Sequence, residues 1–136
     1  MALNNNKCEV EILCIGTELL LGNILNSNAR WLSEELAILG LTHYYQSVVG
    51  DNLDRIQTVL IQASKRSNVL IITGGIGPTP DDITHKSVAT AFNTDLIENE
   101  GIWLDIQKKT SSKTTLLTPK SNRKQALFPK GARNIL

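Results

Sequence analysis

The apolar run Val69-Leu-Ile-Ile72 passes without a gap into Thr73-Gly-Gly-Ile-Gly-Pro-Thr-Pro-Asp-Asp-Ile-Thr84, and that junction restricts the fold more than any other stretch. A buried strand that empties into a glycine-rich loop ending in paired carboxylates belongs at the edge of a sheet, as a site for phosphate and metal. Gly74, Gly75 and Gly77 have no side chains, so backbone N–H groups can approach an anion closely there, while Pro78 and Pro80 stiffen the path. Thr79, Asp81 or Asp82 is placed to cap a helix that starts at this point, and the dipole of that helix favours negative charge nearby. Adjacent carboxylates repel one another unless a cation, a proton or a basic partner lies between them. Acidic residues also decorate the first turn of ordinary helices, but the preceding glycines would be an entropically costly way to build a plain turn.

The remainder of the N-terminal half supplies the frame. Glu9-Val-Glu-Ile-Leu-Cys-Ile15 alternates and then turns continuously apolar, as does a strand in the middle of a parallel sheet. Gly16-Thr-Glu-Leu-Leu-Leu-Gly22 follows as a loop that offers the Thr17 hydroxyl and the Glu18 carboxylate at the strand's exit. An ordinary turn with Thr17 capping and Glu18 solvated fits the same spacing. Ala29, Leu32, Leu36 and Leu39 recur at helical spacing before Gly40, which predicts a helix from about Asn28 to Leu39. Asn23, Asn26 and Asn28 beside its start are caps or ligand contacts. Thr42 to Val49 has strand composition, and Asp51 with Asp54 opens a second helix with Ile56, Leu60 and Ala63 inward. The β-α-β-α-β order predicts a doubly wound α/β domain with helices on both faces of a mostly parallel sheet. Gly16 and Gly74 then lie at the carboxyl edge, where one crevice serves both loops.

Further along, helices are predicted through Val88 and Phe92 and through Ile102 and Ile106, with Lys108 to Thr115 as a loop. Thr118-Pro119 opens a short helix, and Pro129-Lys-Gly-Ala132 reads as a turn. Arg133-Asn-Ile-Leu136 has the look of a strand's start, so a truncated piece is expected, with the C-terminal strands missing.

A chain of 136 residues is long enough for one core and too short for two complete domains, so residues 1–136 are read as a single domain. Fourteen basic against thirteen acidic residues give no electrostatic case for nucleic acid or an anionic membrane surface. No apolar run approaches the roughly 20 residues of a membrane span, and the first residues lack a signal peptide's organisation, so a cytoplasmic location is expected. Cys8 and Cys14 fall on one face of a single strand, where a disulfide is geometrically poor. His43 and His85 lack companions at metal-ligand spacing, although His85 stands near the acidic pair. Trp31 and Trp103 read as partly buried packing residues. The basic residues from Lys108 to Lys130 form a solvated face or flank a phosphate, Arg123 being the candidate for the latter. Neither the P-loop pattern nor the dinucleotide fingerprint is present.

Taken together, Gly16-Thr-Glu-Leu-Leu-Leu-Gly22, Asn26-Ser-Asn28, Val49-Gly-Asp-Asn52, Thr73 to Thr84 and Thr118-Pro-Lys-Ser-Asn-Arg-Lys-Gln-Ala126 resemble the N-terminal domain of CinA, the competence/damage-inducible protein family of bacteria. That domain belongs to the molybdopterin-binding superfamily with MogA, MoaB, MoeA and gephyrin. The resemblance spans nearly the whole chain and implies a three-layer α/β/α fold with a mostly parallel central sheet. It also implies metal-dependent hydrolysis of ADP-ribose to AMP and ribose 5-phosphate. By position, Thr73, Gly74, Gly75, Gly77, Pro78 and Thr79 match the family's phosphate or pterin loop, Asp81 and Asp82 its acidic pair, and Gly16, Thr17 and Glu18 its first loop, with Asn28 as a further substrate contact. The implied cofactor is a divalent cation on Asp81 and Asp82, the implied ligand a nucleotide or a pterin, and homo-oligomers are common among relatives. The alternatives are a molybdopterin- or nucleotide-binding module without hydrolysis and an inactive fragment. The family pattern continues with Gly-Thr-Ala-Pro-Gly, which lies beyond Leu136, and many CinA proteins add a nicotinamide-mononucleotide deamidase domain.

Overall fold

A computed structural model describes residues 8–111 and 119–135. The chain divides into two compact units, Met1–Gly74 and Gly75–Leu136.

In the first unit the order is β1 (Glu9–Ile15), α1 (Thr17–Leu20), α2 (Ser27–Ile38), β2 (Thr42–Val49), α3 (Leu53–Ser64) and β3 (Val69–Thr73). The sheet runs β2-β1-β3 with both pairings parallel. β1 therefore has a partner on each side, and all its residues after Glu9 are buried. The chain leaves β1 for β2 in one direction and returns across β1 to reach β3. Right-handed crossovers in opposite directions put α2 and α3 on opposite faces. The packing agrees with this: Val10, Ile12 and Cys14 pack with Ala29 and Leu36 of α2. The alternate residue Glu11 instead meets Arg66 and Ser67, just past α3. Ile56, Leu60 and Ala63 are wholly buried, as their helical spacing predicts.

Glu11 is a carboxylate at 0% exposure in the middle of this sheet. Arg66 grips it with two bonds, Nε to Oε2 at 2.9 Å and Nη2 to Oε1 at 2.6 Å, while the Ser67 hydroxyl donates at 3.1 Å. The guanidinium also lies 3.9 Å from the centre of the Tyr45 ring. Tyr45 is the strand neighbour of Glu11, so one cation serves both.

Several sequence expectations need correction in this unit. β3 is half-buried, not buried, because β1 is its sole strand partner among the described residues, and Val69 is exposed. Thr17 to Leu20 form a helical turn where a loop was expected, closed by Leu21 N–H donating to the Thr17 carbonyl at 3.1 Å. Asn52, not Asp51, caps α3 by accepting from Arg55 N–H, whereas Asn26 caps α2 as expected by accepting from Ala29 N–H. Trp31 is 59% exposed, since it stands off the α2 stripe made by Ala29, Leu32 and Leu36. Cys8 and Cys14 are free thiols.

The second unit contains α4 (Thr84–Ala91), β4 (Leu96–Glu98), α5 (Glu100–Ser111), a 3-10 helix (Lys120–Ala126) and β5 (Leu127–Pro129). β4 and β5 pair antiparallel, Leu96 opposite Pro129 and Glu98 opposite Leu127. The predicted loop from Lys108 is helical as far as Ser111, with residues 112–115 outside the described residues. Lys108 and Lys109 suit the negative end of α5, and the Thr110 hydroxyl bonds back to the Ile106 carbonyl at 2.9 Å. Residues 132–135 form no strand, for want of a neighbour to pair with among the described residues, and Leu136 lies outside them. The short helix after Pro119 and the turn at Pro129, closed by Ala132 N–H to the Pro129 carbonyl, are as predicted. No helix among the described residues is long and apolar enough to cross a membrane.

The hydrogen bonds from Arg66, with help from Ser67, hold the Glu11 carboxyl below its usual range despite burial. Its stabilisation is complete above the unfolded value of about 4.3 and is lost as pH falls through the lower folded value. Glu11→Gln is therefore expected to lower the urea midpoint at pH 7 and to lose less than the wild type on acidification to pH 3. Leu60→Ala is expected to cost about 2–5 kcal/mol at any pH, read from the same curves.

Candidate functional site

In the first unit the site residues gather where the chain order reverses, at the carboxyl ends of β1 and β3. Gly16 N–H donates to the Val49 carbonyl at 2.9 Å, closing the end of β1 onto β2. Thr17 then gives both its N–H and its hydroxyl to Asp51 Oδ2, at 2.9 and 2.8 Å, and its hydroxyl oxygen accepts the Asp51 N–H at 3.1 Å. Asp51 was not singled out as a site residue from the sequence; its signal is the Val49-Gly-Asp-Asn52 motif. Glu18 is exposed, and its carboxylate folds back over Gly16, where a Cβ would lie 2.9 Å from its Cδ. Asn28 Nδ2 donates to the Thr73 hydroxyl at 3.3 Å, tying the first turn of α2 to the end of β3. Gly74 has φ +90°, and a Cβ there would overlap the Ile15 carbonyl oxygen. Gly16, Thr17, Asn28, Thr73 and Gly74 are thus brought to one edge, the glycines by lacking a side chain and the others by side-chain hydrogen bonds.

In the second unit the loop from Gly75 to Asp82 folds around its own carboxylate. Asp82 Oδ2 accepts the Thr79 N–H at 2.8 Å and the Thr79 hydroxyl at 2.5 Å. Gly77 N–H adds another bond, and a Cβ at Gly77 would stand 2.7 Å from the same oxygen. Asp82 N–H in turn donates to the Thr79 carbonyl at 3.1 Å, and Thr84 N–H donates to the Gly75 carbonyl at 3.0 Å. The predicted capping of the next helix does not occur: α4 begins at Thr84 behind Ile83, with no side-chain cap, and Asp82 reaches backward into the loop. The Thr79 hydroxyl, above all, holds the Asp82 carboxyl below its usual range; burial opposes this, and the two amides and the nearby Lys124 charge assist. Asp81 and Thr79 are exposed, Gly77 and Pro78 half-buried.

The cleft beside this loop has a volume of about 250 Å³, and Asp82, His85, Lys86 and Lys124 contribute its polar lining. Burial pushes the His85 imidazole below its usual value, partly offset by a bond with the Leu127 backbone, and its ring lies 4.8 Å from that of Phe128. His85 is therefore neutral near pH 7. Arg123, the basic candidate, is bound to Glu98 at 2.8 Å, with its guanidinium 5.8 Å from the centre of the Trp103 ring. Lys124 and Gln125, which the sequence did not single out, donate to the carbonyls of Thr79 and Ile76. The amides of this loop converge on one carboxylate oxygen, that of Asp82, so their donors are taken up within the loop.

Residues 11–131 match the family model described as a probable molybdopterin binding domain. A CinA-like protein of Prochlorococcus marinus (strain MIT 9313) is 61% identical over 123 residues, which are 90% of this chain and 28% of the relative. One from Synechococcus sp. (strain CC9311) is 56% identical over 132 residues, 97% of this chain and 31% of the relative. The chain thus spans about three tenths of the length of these curated relatives. Among solved structures, CinA of unknown function from Thermoplasma acidophilum superposes with a TM-score of 0.84 at 31% identity, covering 94% of this chain and 74% of that one. MoaB from Pyrococcus furiosus, a tungsten cofactor synthesizing protein, gives 0.60 at 20% identity, covering 91% of this chain and 79% of that one. The second likeness speaks for the fold alone, the three-layer α/β/α arrangement with a mostly parallel sheet.

Gly74 and Gly40 both have positive φ, +90° and +69°, but a Cβ on Gly40 would meet nothing within 4 Å. Gly40→Ala is expected to cost about 1–2 kcal/mol from backbone strain alone. Gly74→Ala is expected to cost clearly more, measured as the difference between the two urea midpoints, because it must also part β1 from β3.

Proposed function

This chain belongs to the family of probable molybdopterin binding domains, in its CinA-like branch, and from that premise we propose a hydrolase domain that cleaves the diphosphate of ADP-ribose into AMP and ribose 5-phosphate. The observation that supports this reading is the Gly77–Asp82 seat, in which the loop amides already hold an anionic oxygen. A substrate phosphate exchanges with the Asp82 carboxylate and takes over its hydrogen bonds from Gly77, Thr79 N–H and the Thr79 hydroxyl. Gly75 and Pro78 are assigned as further contacts of this seat; in the first unit Gly16, Thr17, Glu18, Asn28, Thr73 and Gly74 are assigned as ligand contacts on their own edge, and a cytoplasmic setting belongs to the same proposal.

Asp81 and Asp82 offer hard oxygen donors, and among the described residues no group of three or more His, Cys, Asp or Glu converges on a metal position. That donor set suits a divalent cation shared with substrate phosphate oxygens, in the manner of Mg²⁺, and not a closed protein cage. Bound there, such a cation would neutralise phosphate charge and render a nearby water more acidic. The chain's own groups do the rest. The Gly77 and Thr79 amides take up the charge that grows on the phosphate oxygens as water adds to phosphorus and the bridging P–O bond breaks. Lys124 adds a positive charge beside them, and neutral His85 lines the cleft as a proton acceptor.

A second reading rests on the same seat. Because Asp82 is tied into the loop, the domain also suits retention of a pterin phosphate without hydrolysis. Incubation of the chain with ADP-ribose and Mg²⁺, followed by quantifying AMP, separates the two. Metal-dependent release of AMP, reduced about a hundredfold or more in Asp81→Asn with the unfolding midpoint retained and in Asp82→Asn, is expected for the hydrolase. Turnover untouched by both substitutions would discard the mechanism, and pterin binding without AMP release would favour the module.

A further inference from the structure

The Lys120–Ala126 3-10 helix carries basic and amide side chains for which the hydrolytic reading uses only the charge of Lys124. Two of them reach the glycine loop: Gln125 Nε2 donates to the Ile76 carbonyl at 3.2 Å, and the Lys124 ammonium donates to the Thr79 carbonyl. We propose that Lys124 and Gln125 are positioning residues that aim the loop's amides into the anion seat; the proposal rests on reading that seat as one for phosphate.

The case begins with how few donors the loop possesses. Pro78 and Pro80 have no N–H, so between Gly77 and Pro80 the main chain supplies the N–H groups of Gly77 and Thr79 only, and both point at Asp82. Half of the seat's backbone donors therefore depend on the plane of the Ile76–Gly77 peptide. In a trans peptide the C=O and N–H point in opposite directions. Anchoring the Ile76 carbonyl on Gln125 thus aims the Gly77 N–H away from the 3-10 helix and onto the carboxylate. Glycine accepts both signs of φ, so this peptide would otherwise rotate at small steric cost. Rotated, it would present a carbonyl oxygen to the seat and repel an anion.

Lys124 acts at the other end of the loop. The Thr79 carbonyl accepts both its ammonium and the Asp82 N–H. Because Pro80 follows, no amide hydrogen on the far side of that peptide helps to orient it, and the two donors fix it. The helix so clamps both ends of the segment that carries the seat's donors. Gln125 is uncharged, so an effect of replacing it on anion binding cannot be a simple loss of charge. That separates aiming from attraction.

The experiment titrates inorganic pyrophosphate, without metal, into the wild-type chain and the Gln125→Ala, Lys124→Met and Lys124→Arg variants by calorimetry. Alongside it, the Gly77 amide is followed by NMR in the ligand-free proteins. Gln125→Ala is expected to weaken pyrophosphate about tenfold, with the unfolding midpoint unchanged and the Gly77 resonance moved upfield. Lys124→Met is expected to weaken it likewise, and Lys124→Arg to restore most of the affinity. Gln125→Ala that keeps both the wild-type affinity and the wild-type Gly77 resonance would overturn the proposal. If pyrophosphate binds none of the proteins while the Gly77 resonance still moves in Gln125→Ala, the clamp stands and the phosphate reading of the seat is what fails.

Discussion

Parallel pairing of β1 on both its edges is the constraint from which the first unit follows. A strand flanked on each side has every backbone polar group in a ladder, which is why it tolerates burial from Val10 to Ile15. Parallel partners require crossovers, crossovers have a fixed hand, and reversal across β1 delivers the ends of β1 and β3 side by side. Gly74 lies against Ile15 because that adjacency leaves no space for a side chain. The gathering of Gly16, Thr17, Thr73 and Gly74 at one edge is a by-product of strand order.

Charge is handled locally in both units. The chain is nearly neutral, yet each of its well-held acids has dedicated donors: Glu11 has Arg66 and Ser67, Asp51 has Thr17, and Asp82 has Gly77 and Thr79. Only the first is a full ion pair, its acid buried in the sheet and its guanidinium reaching solvent. The latter two sit at loop ends, where main-chain and hydroxyl donors stabilise an anion without a permanent countercharge. Those donors already have a carboxylate oxygen as partner, so any other anion would have to displace it.

The sequence carried the parallel core because burial leaves a periodic trace. Val10, Ile12 and Cys14 alternate, and Ile56, Leu60 and Ala63 follow a helical stripe, so strand and helix are recognisable from one another's spacing. β4 and β5 have three residues each and leave no period to read; their pairing is decided by contacts made only in the folded unit. The candidate loop was recognisable by its glycines and acids, but not the direction in which Asp82 points. Capping forward and bonding backward place the same residue type at the same position, and here Thr79 outcompetes the helix start. Lys124 and Gln125 were illegible for a different reason: they act across 45 and 49 residues of chain, and surface basic residues give no sign of which carbonyl they will find.

Glu11 has one more effect, visible in its position within β1. Side chains on a strand alternate between faces, so sliding β1 by a single residue would carry this acid from Arg66 to the opposite side, among Ala29 and Leu36. An ionised carboxylate stranded there has no counterion, and its desolvation would outweigh whatever the shifted ladder regained. A misaligned sheet is thus disfavoured by an acid whose only visible duty in the finished molecule is to be held.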